Sequence, residues 1–143
     1  MKQQILLAGQ GKSYEWSKDH VIVKASVDLC DGRLTLVEDT LKPGFTLARH
    51  YHKKMTEIFY ILDGEIEFIF DDERVHARAG TVINVPNRVW HEVLSPQGAR
   101  LLTIFSPGGF DQYLEELVSL TEAQYADAGL MRAMSERYDI FEL

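Results

Sequence analysis

Apolar and polar residues alternate in many short runs between residues 20 and 107, and turn-forming residues separate the runs. The runs 20–29 and 33–41 are rich in β-branched side chains, which is typical of strands. Asp63-Gly64 separates two further runs of this kind, and this dipeptide predicts a hairpin turn. Many short strands at even spacing predict an all-β fold of the sandwich or barrel type.

The period of the apolar positions changes after the segment 106–110. Apolar residues at 113, 114, 117, 118 and 120 fit one face of a helix, and Asp111 is a candidate N-cap. Thr121 is a candidate N-cap for a second helix, with Gly129 as a break or C-cap. We therefore expect two short C-terminal helices over about 111–138. Each is too short to be stable alone, so they should pack on the barrel.

Composition narrows the functional class. The 143 residues are 45% hydrophobic, which suits a single domain over 1–143 with a barrel core at about 20–107. The net charge is -7 and no basic run is present, which argues against nucleic acid and against attachment to a membrane surface. Cys30 is the single cysteine, so no internal disulfide can form. With an N-terminal apolar stretch too short for a signal peptide, this predicts a cytoplasmic protein.

Two histidines one residue apart precede a glutamate in the sequence RHYHKKMTEIFYILDG. His50 and His52 share one face of a strand, because residues two apart point the same way. Glu57 can join them only if the chain loops within 53–56 and returns on a neighbouring strand. His91, on a later strand, could complete a set of three imidazoles and one carboxylate, which suits a divalent transition metal. The alternative is that these are unrelated polar residues on a solvent-facing side of the sheet.

These residues also carry a resemblance to a known family. The stretch Gly44-x5-His50-x-His52-x4-Glu57-x6-Gly64 resembles the first motif of the cupin superfamily, with every position filled.

Gly80-x5-Pro86 and His91 resemble the second motif of that superfamily. In this chain Arg88 stands where a glycine is usual, and Ser95 stands where an asparagine is usual. The segment that follows resembles small single-domain cupins grouped as quercetin-dioxygenase-like.

The resemblance implies a cupin double-stranded β-helix, a jelly-roll barrel, that holds a metal on His50, His52, Glu57 and His91. It also implies a homodimer. The corresponding glutamate of quercetinase-like relatives acts as a base, which implies a catalytic role for Glu57 in addition to metal binding. The resemblance and the donor types leave iron, manganese, nickel, copper and zinc open.

Alternation along the strands also predicts which side chains surround a small-molecule substrate. This apolar and aromatic wall favours an aromatic or enolic compound. Its predicted members are Thr46, Ala48, Phe59, Ile61, Phe68, Val89 and Val93.

Three functions fit such a site. The first is a metal-dependent dioxygenase that acts on a small aromatic or enolic compound. The second is a metal enzyme without redox chemistry, such as an isomerase, lyase or hydrolase. The third is a small-molecule binding or sensing module without catalysis. The metal and its dependence on oxygen discriminate among them, since a fold does not determine a function.

Overall fold

The computed structural model describes residues 2–142 and contains ten strands and three helices. All strand pairings are antiparallel. The strands are β1 (Lys12–Trp16), β2 (Asp19–Ala25), β3 (Thr35–Leu41), β4 (Phe45–Tyr51), β5 (Thr56–Ile69), β6 (Arg74–Arg78), β7 (Val82–Val85), β8 (His91–Ser95), β9 (Ala99–Ser106) and β10 (Phe141–Glu142).

The sheet is curled, and its strand order is β1-β2-β3-β9-β5-β8-β4-β10, with β6 and β7 also paired to β5. The two halves of β5 serve different parts of this sheet. Its first half pairs with β7 and β9, and its second half pairs with β6 and β8. The all-β barrel-type fold expected from the alternation is therefore confirmed.

Strand β5 passes through Asp63-Gly64 without turning, so the predicted hairpin is wrong. A register shift lies between Ile61 and Asp63 in the pairing with β9, as in a β-bulge. Gly64 has a φ of +79°, and a Cβ there would lie 2.5 Å from the carbonyl oxygen of Gly98. Glycine therefore serves a bulge and a close approach of two strands here, although the same dipeptide also suits a turn.

Side chains on the concave face of the sheet form the core, as the alternation predicts. One cluster lies between the two halves of the curled sheet, and two fully buried residues at its centre are Ile61 and Phe68. Its buried members are Leu41, Phe45, Phe59, Ile61, Ile66, Phe68, Ala77, Val85, Val93 and Leu101.

The C-terminal segment contains three helices rather than the two predicted: α1 (Phe110–Val118), α2 (Glu122–Tyr125) and α3 (Ala128–Arg137). Thr121 caps α2 as predicted, because its side chain accepts from the Gln124 N–H. Asp127 caps the additional helix by accepting from the Leu130 N–H, which places Gly129 inside α3. The residue at the N-cap of α1 is Gly109, so the prediction of Asp111 as the N-cap is wrong.

Asp111 lies in the first turn of α1, and its carboxylate joins the helix to the sheet. It accepts from the Thr35 hydroxyl at 2.6 Å and from the Val27 N–H at 3.2 Å. Leu114 is fully buried against a second core cluster, which includes Val21 and Phe105. The expectation that the helices pack on the barrel is therefore confirmed. None of the helices in residues 2–142 has the length and apolar character needed to span a membrane.

Candidate metal centre

Four side chains from three strands and one loop converge at one end of the curled sheet. His50 lies near the end of β4, His52 directly follows that strand, Glu57 lies on β5, and His91 begins β8. Their candidate ligand atoms all lie within 4.8 Å of one another. Each of the four residues is at most 5% exposed. The structure therefore brings together the four residues that the cupin resemblance implied as metal ligands.

The loop between His52 and Glu57 is held by a residue more than eighty positions away. The carboxylate of Asp139 accepts hydrogen bonds from the backbone N–H groups of Lys53, Lys54 and Met55, at 2.8, 2.9 and 2.8 Å. Asp139 has a φ of +66°, a conformation that aspartate tolerates better than most residues. This contact turns the chain so that Glu57 returns on the strand facing His52.

Backbone carbonyls orient all three imidazoles. His50 Nδ1 donates to the Ala48 carbonyl at 2.8 Å, His52 Nδ1 to the Asp139 carbonyl at 2.7 Å, and His91 Nδ1 to the Val89 carbonyl at 3.0 Å. A carbonyl oxygen only accepts, so each Nδ1 carries the proton and each Nε2 is the nitrogen left for a cation. Hydrogen bonds of this kind orient metal-binding histidines in proteins.

The charge states also suit a cation. Burial lowers the pKa of His50 to about 4, and the neighbouring His91 acts in the same direction, so His50 is neutral at physiological pH. Burial alone would raise the pKa of Glu57, but hydrogen bonds to His52 and His91 hold it well below its usual range. Glu57 Oε1 lies 3.0 Å from His52 Nε2 and 3.3 Å from His91 Nε2. Burial alone would lower the pKa of His52, but Glu57 raises it, so His52 Nε2 and Glu57 share a proton that a bound metal would displace.

The group lies on the wall of a cavity of about 410 Å³, which falls in the range of small-molecule pockets. His50, His52 and Glu57 line this cavity, and His91 is fully buried. Most of the other walls are apolar or aromatic, and residues of α3 and the segment after it form one side. The apolar and aromatic lining residues are Trp16, Leu41, Phe45, Leu47, Phe59, Val93, Leu101, Phe105, Phe110, Tyr113, Ala128, Met131 and Ile140.

Comparison with known proteins identifies the fold family. The family model described as "Cupin domain" matches residues 37–105, a range that includes all four converging side chains. The chain contains a cupin domain.

Three relatives illustrate how distant the similarity is. Quercetin 2,3-dioxygenase of Bacillus subtilis (strain 168) is 27% identical over 99 residues, which is 68% of this chain and 29% of that enzyme. The structure of KdgF from Halomonas sp. has a TM-score of 0.68 at 16% identity, over 76% of this chain and 99% of that one. Ectoine synthase from P. lautus has a TM-score of 0.65 at 15% identity, over 100% of this chain and 90% of that one. At these identities the two structures show a shared fold and no more.

The cupin domain places only part of the predicted wall around the cavity. Phe59 and Val93 line it as predicted. Thr46 and Ala48 are exposed, which corrects their predicted position. The pairing of β4 with β8 shifts register between Leu47 and His50, so counting by twos from His50 selects the wrong face. Phe45 and Leu47 line the cavity instead of Thr46 and Ala48.

Three more predicted wall residues lie away from the cavity lining. Ile61 and Phe68 are fully buried in the core of the cupin domain, and neither lines the cavity. Val89 is half-buried, packs against the same core, and borders a separate groove on the outside of the sheet. Its backbone carbonyl, rather than its side chain, reaches the centre through His91 Nδ1.

The two departures in the second cupin motif are accommodated by the structure. Arg88 has a φ of +67°, a left-handed conformation that favours glycine, and its N–H donates to the His52 carbonyl at 2.6 Å. Ser95 is fully buried, and its hydroxyl donates to the Glu65 carbonyl at 2.9 Å. Neither substitution separates the four converging side chains.

Sequence reasoning missed two features of this site. Asp139 lies in the tail, and nothing local in the sequence indicates its contact with the loop at 53–55. Asp19 and Asp39 also line the cavity, where both are buried. A signal for Asp39 was available, because alternation along β3 places it on the same face as Val37 and Leu41.

Proposed function

We propose that this protein is a metal-dependent enzyme of the dioxygenase type that oxidises a small aromatic or enolic compound. The metal would be held by His50, His52, Glu57 and His91. One observation carries the proposal: three imidazole nitrogens and a carboxylate converge beside a cavity of about 410 Å³ whose walls are mostly apolar and aromatic.

The donor set fits iron, manganese, nickel, copper or zinc. Four protein ligands leave two positions of an octahedral ion for other groups, whereas they would fill a tetrahedral zinc site. When bound, a redox-active ion of this set would supply electrophilic and electron-transfer chemistry beside the cavity.

The residues of the chain itself would select and orient the substrate. Phe59 and Phe105 line the cavity and offer ring surfaces against which an aromatic compound can pack. Glu57 stays ionised, so it could accept a proton from an enolic hydroxyl within hydrogen-bond reach. Among the described residues that line the cavity, Arg132 is the only lysine or arginine and five residues are acidic, which disfavours a phosphorylated substrate.

A second function is favoured by a specific observation. The buried carboxyl groups of Asp19 and Asp39 lie on the same cavity. A proton donor of that kind suits a non-redox reaction such as an isomerisation or elimination, in which protons move and oxygen is not consumed. The alternative of a binding module without catalysis needs neither a redox-active metal nor a proton donor.

Metal analysis of the purified protein, combined with oxygen uptake on a panel of flavonols and dihydroxy-aromatic compounds, tests the proposal. We expect iron, manganese, nickel or copper, and oxygen uptake with at least one compound. Zinc with turnover that does not consume oxygen would favour the second function. Bound ligand without turnover would favour the binding module.

The metal assignment has its own test. His52→Ala should remove most of the metal while the barrel stays folded, because the core cluster does not include His52. His76→Ala is the matched control, since His76 is an exposed histidine that pairs with Glu65. Unchanged metal content in His52→Ala would contradict the assignment.

A further inference from the structure

A second polar group lies on the cavity, away from the metal centre. Asp19 begins β2 and is 8% exposed, and Asp39 lies on the neighbouring strand β3 and is 7% exposed. Both line the cavity that His50, His52 and Glu57 also line. Strand β9 separates β3 from β5, so the strands of Asp39 and Glu57 lie two strand spacings apart, about 10 Å.

The position of the two carboxyl groups favours a shared proton. Asp19 and Asp39 are diagonal neighbours on the adjacent strands β2 and β3, and both are buried, so two ionised carboxylates there would repel each other. Asp39 Oδ2 accepts from the Thr103 hydroxyl at 2.7 Å, which stabilises charge on Asp39. Asp19 Oδ1 is buried and has no hydrogen-bond partner within residues 2–142. An ionised Asp19 would leave that oxygen unsolvated, so the proton belongs on Asp19.

Burial, supported by the surrounding charges, keeps the proton in place. Burial is the main cause that raises the pKa of Asp19, to about 10, and the charges of Asp39 and Glu15 add to it while Lys42 opposes it.

Burial also raises the pKa of Asp39. Glu57 and Glu38 act in the same direction, and the hydrogen bonds from Asp19 and Thr103 oppose the shift. With acidic neighbours on β1, β3 and β5, the pair keeps one proton at neutral pH.

A purely structural role explains the pair poorly. A buried pair of acidic groups on β2 and β3 costs free energy that two apolar side chains of similar size would not. Its neighbours on the same faces of those strands are apolar, as with Val21 and Val37. The pair stands instead where a ligand in the cavity would reach it.

We propose that the Asp19–Asp39 pair is a proton-donor site for the end of the ligand that lies away from the metal centre. The ligand would be a small molecule with oxygen atoms at both ends, one facing the imidazoles and a carbonyl or hydroxyl oxygen facing Asp19. An anionic group placed against Asp19 would be disfavoured, because the ionised Asp39 beside it repels that group.

If the cavity is a catalytic one, the pair acts as a general acid. This part rests on the proposed enzymatic function. The O–H bond of Asp19 breaks, its electron pair stays on the carboxylate, and the proton bonds to a substrate oxygen on which negative charge develops. Solvent returns a proton to the pair after the product leaves.

Infrared spectroscopy of the purified protein at neutral pH tests the proton itself. The wild type should show the stretching band of a protonated buried carboxyl group. Asp19→Asn should lack it, because the amide N–H can donate to an ionised Asp39. In Asp39→Asn the band should shift rather than vanish, because burial still raises the pKa of Asp19. Asp28→Asn, an exposed carboxylate on a loop, is the control and should keep the band. A wild-type protein without the band would overturn the proposal.

Kinetic measurements test the catalytic role. The substrate is a compound that the protein turns over, identified by oxygen uptake or by an oxygen-independent assay of the same panel. Asp19→Asn should slow turnover about a hundredfold at unchanged metal content, and should abolish the decline in rate as the pair ionises at high pH. A rate equal to that of the wild type would overturn the catalytic role. If no compound is turned over, the proposed function fails, and the infrared result still decides whether the proton-donor site exists.

Discussion

Replacing Asp139 by alanine should weaken metal binding, although Asp139 is not one of the four converging side chains. The substitution removes the acceptor of three backbone N–H groups in the loop that joins His52 to Glu57. The backbone carbonyl of residue 139, which accepts from His52 Nδ1 at 2.7 Å, would be held less firmly once the side-chain bonds are lost. The loop would then sample positions in which His52 and Glu57 no longer face each other.

The magnitude can be worked from the exposure of the three donors. Lys53 and Lys54 are exposed, so their N–H groups can bond to water after the change. Met55 is 4% exposed, and an unpaired buried donor costs about 1–3 kcal/mol. Alanine is also strained at the left-handed φ of residue 139, which adds about 1–2 kcal/mol to the loss of stability. We expect the free energy of unfolding of the metal-free protein to fall by about 3 kcal/mol. Metal affinity should fall about 10–100-fold, as for other residues that orient metal ligands.

Urea denaturation of the metal-free protein and competition with a chromophoric chelator measure the two quantities. Asp127→Ala is the matched control, because that carboxylate also caps a backbone N–H in the tail but does not contact the loop at 53–55. It should lower stability by about 1 kcal/mol and leave metal affinity unchanged. If Asp139→Ala binds metal within twofold of the wild type, or no worse than Asp127→Ala, the reasoning is wrong.

Three further predictions test other parts of the structure. Glu57→Gln keeps the shape of the side chain and removes its charge, so turnover should fall more than metal content; equal losses would leave Glu57 only as a ligand. Gly64→Ala should lower the free energy of unfolding in urea by about 2 kcal/mol or more, because its Cβ would lie 2.5 Å from the Gly98 carbonyl oxygen. Gly80→Ala is the control and should lower the free energy of unfolding less, because a Cβ at residue 80 would have no atom within 4 Å. As pH rises through the neutral range, the folded state keeps the Asp19 proton that the unfolded chain has released. Stability should therefore fall by about 1.4 kcal/mol per pH unit more steeply in the wild type than in Asp19→Asn, and parallel profiles would contradict this.

The strand pattern and the candidate ligands could be read from the sequence because both depend on local features. Alternation with a period of two identifies which side of a strand faces the core, whatever its partner is. His50, His52 and Glu57 lie within eight residues, so one loop is enough to bring them together. Their spacing, together with the resemblance to the cupin motifs, predicted the cluster inside a barrel, whereas the spacing alone left a solvent-facing set of polar residues open.

The pairing of strands decided what the local pattern left open. Asp63-Gly64 suits a turn and a bulge equally well, and its role depends on β9, which pairs with β5 across the bulge. The bulge in β4 reverses the alternation before His50, which moved Thr46 and Ala48 to the surface. A bulge is stabilised by distant partners, so its position is not visible in the run of residues that contains it.

The remaining features of the site depend on contacts between residues far apart in the chain. Asp139 reaches the loop at 53–55 only because the tail folds back and β10 pairs with β4. Asp19 and Asp39 meet because β2 and β3 are adjacent, and the curl of the sheet places them on the cavity that Glu57 lines. The sequence by itself determined the donor types and the barrel, which follow from chemistry and periodicity. The tertiary structure decided how the loop is held and where a second proton-bearing group lies, because strand register and chain reversal set these distances.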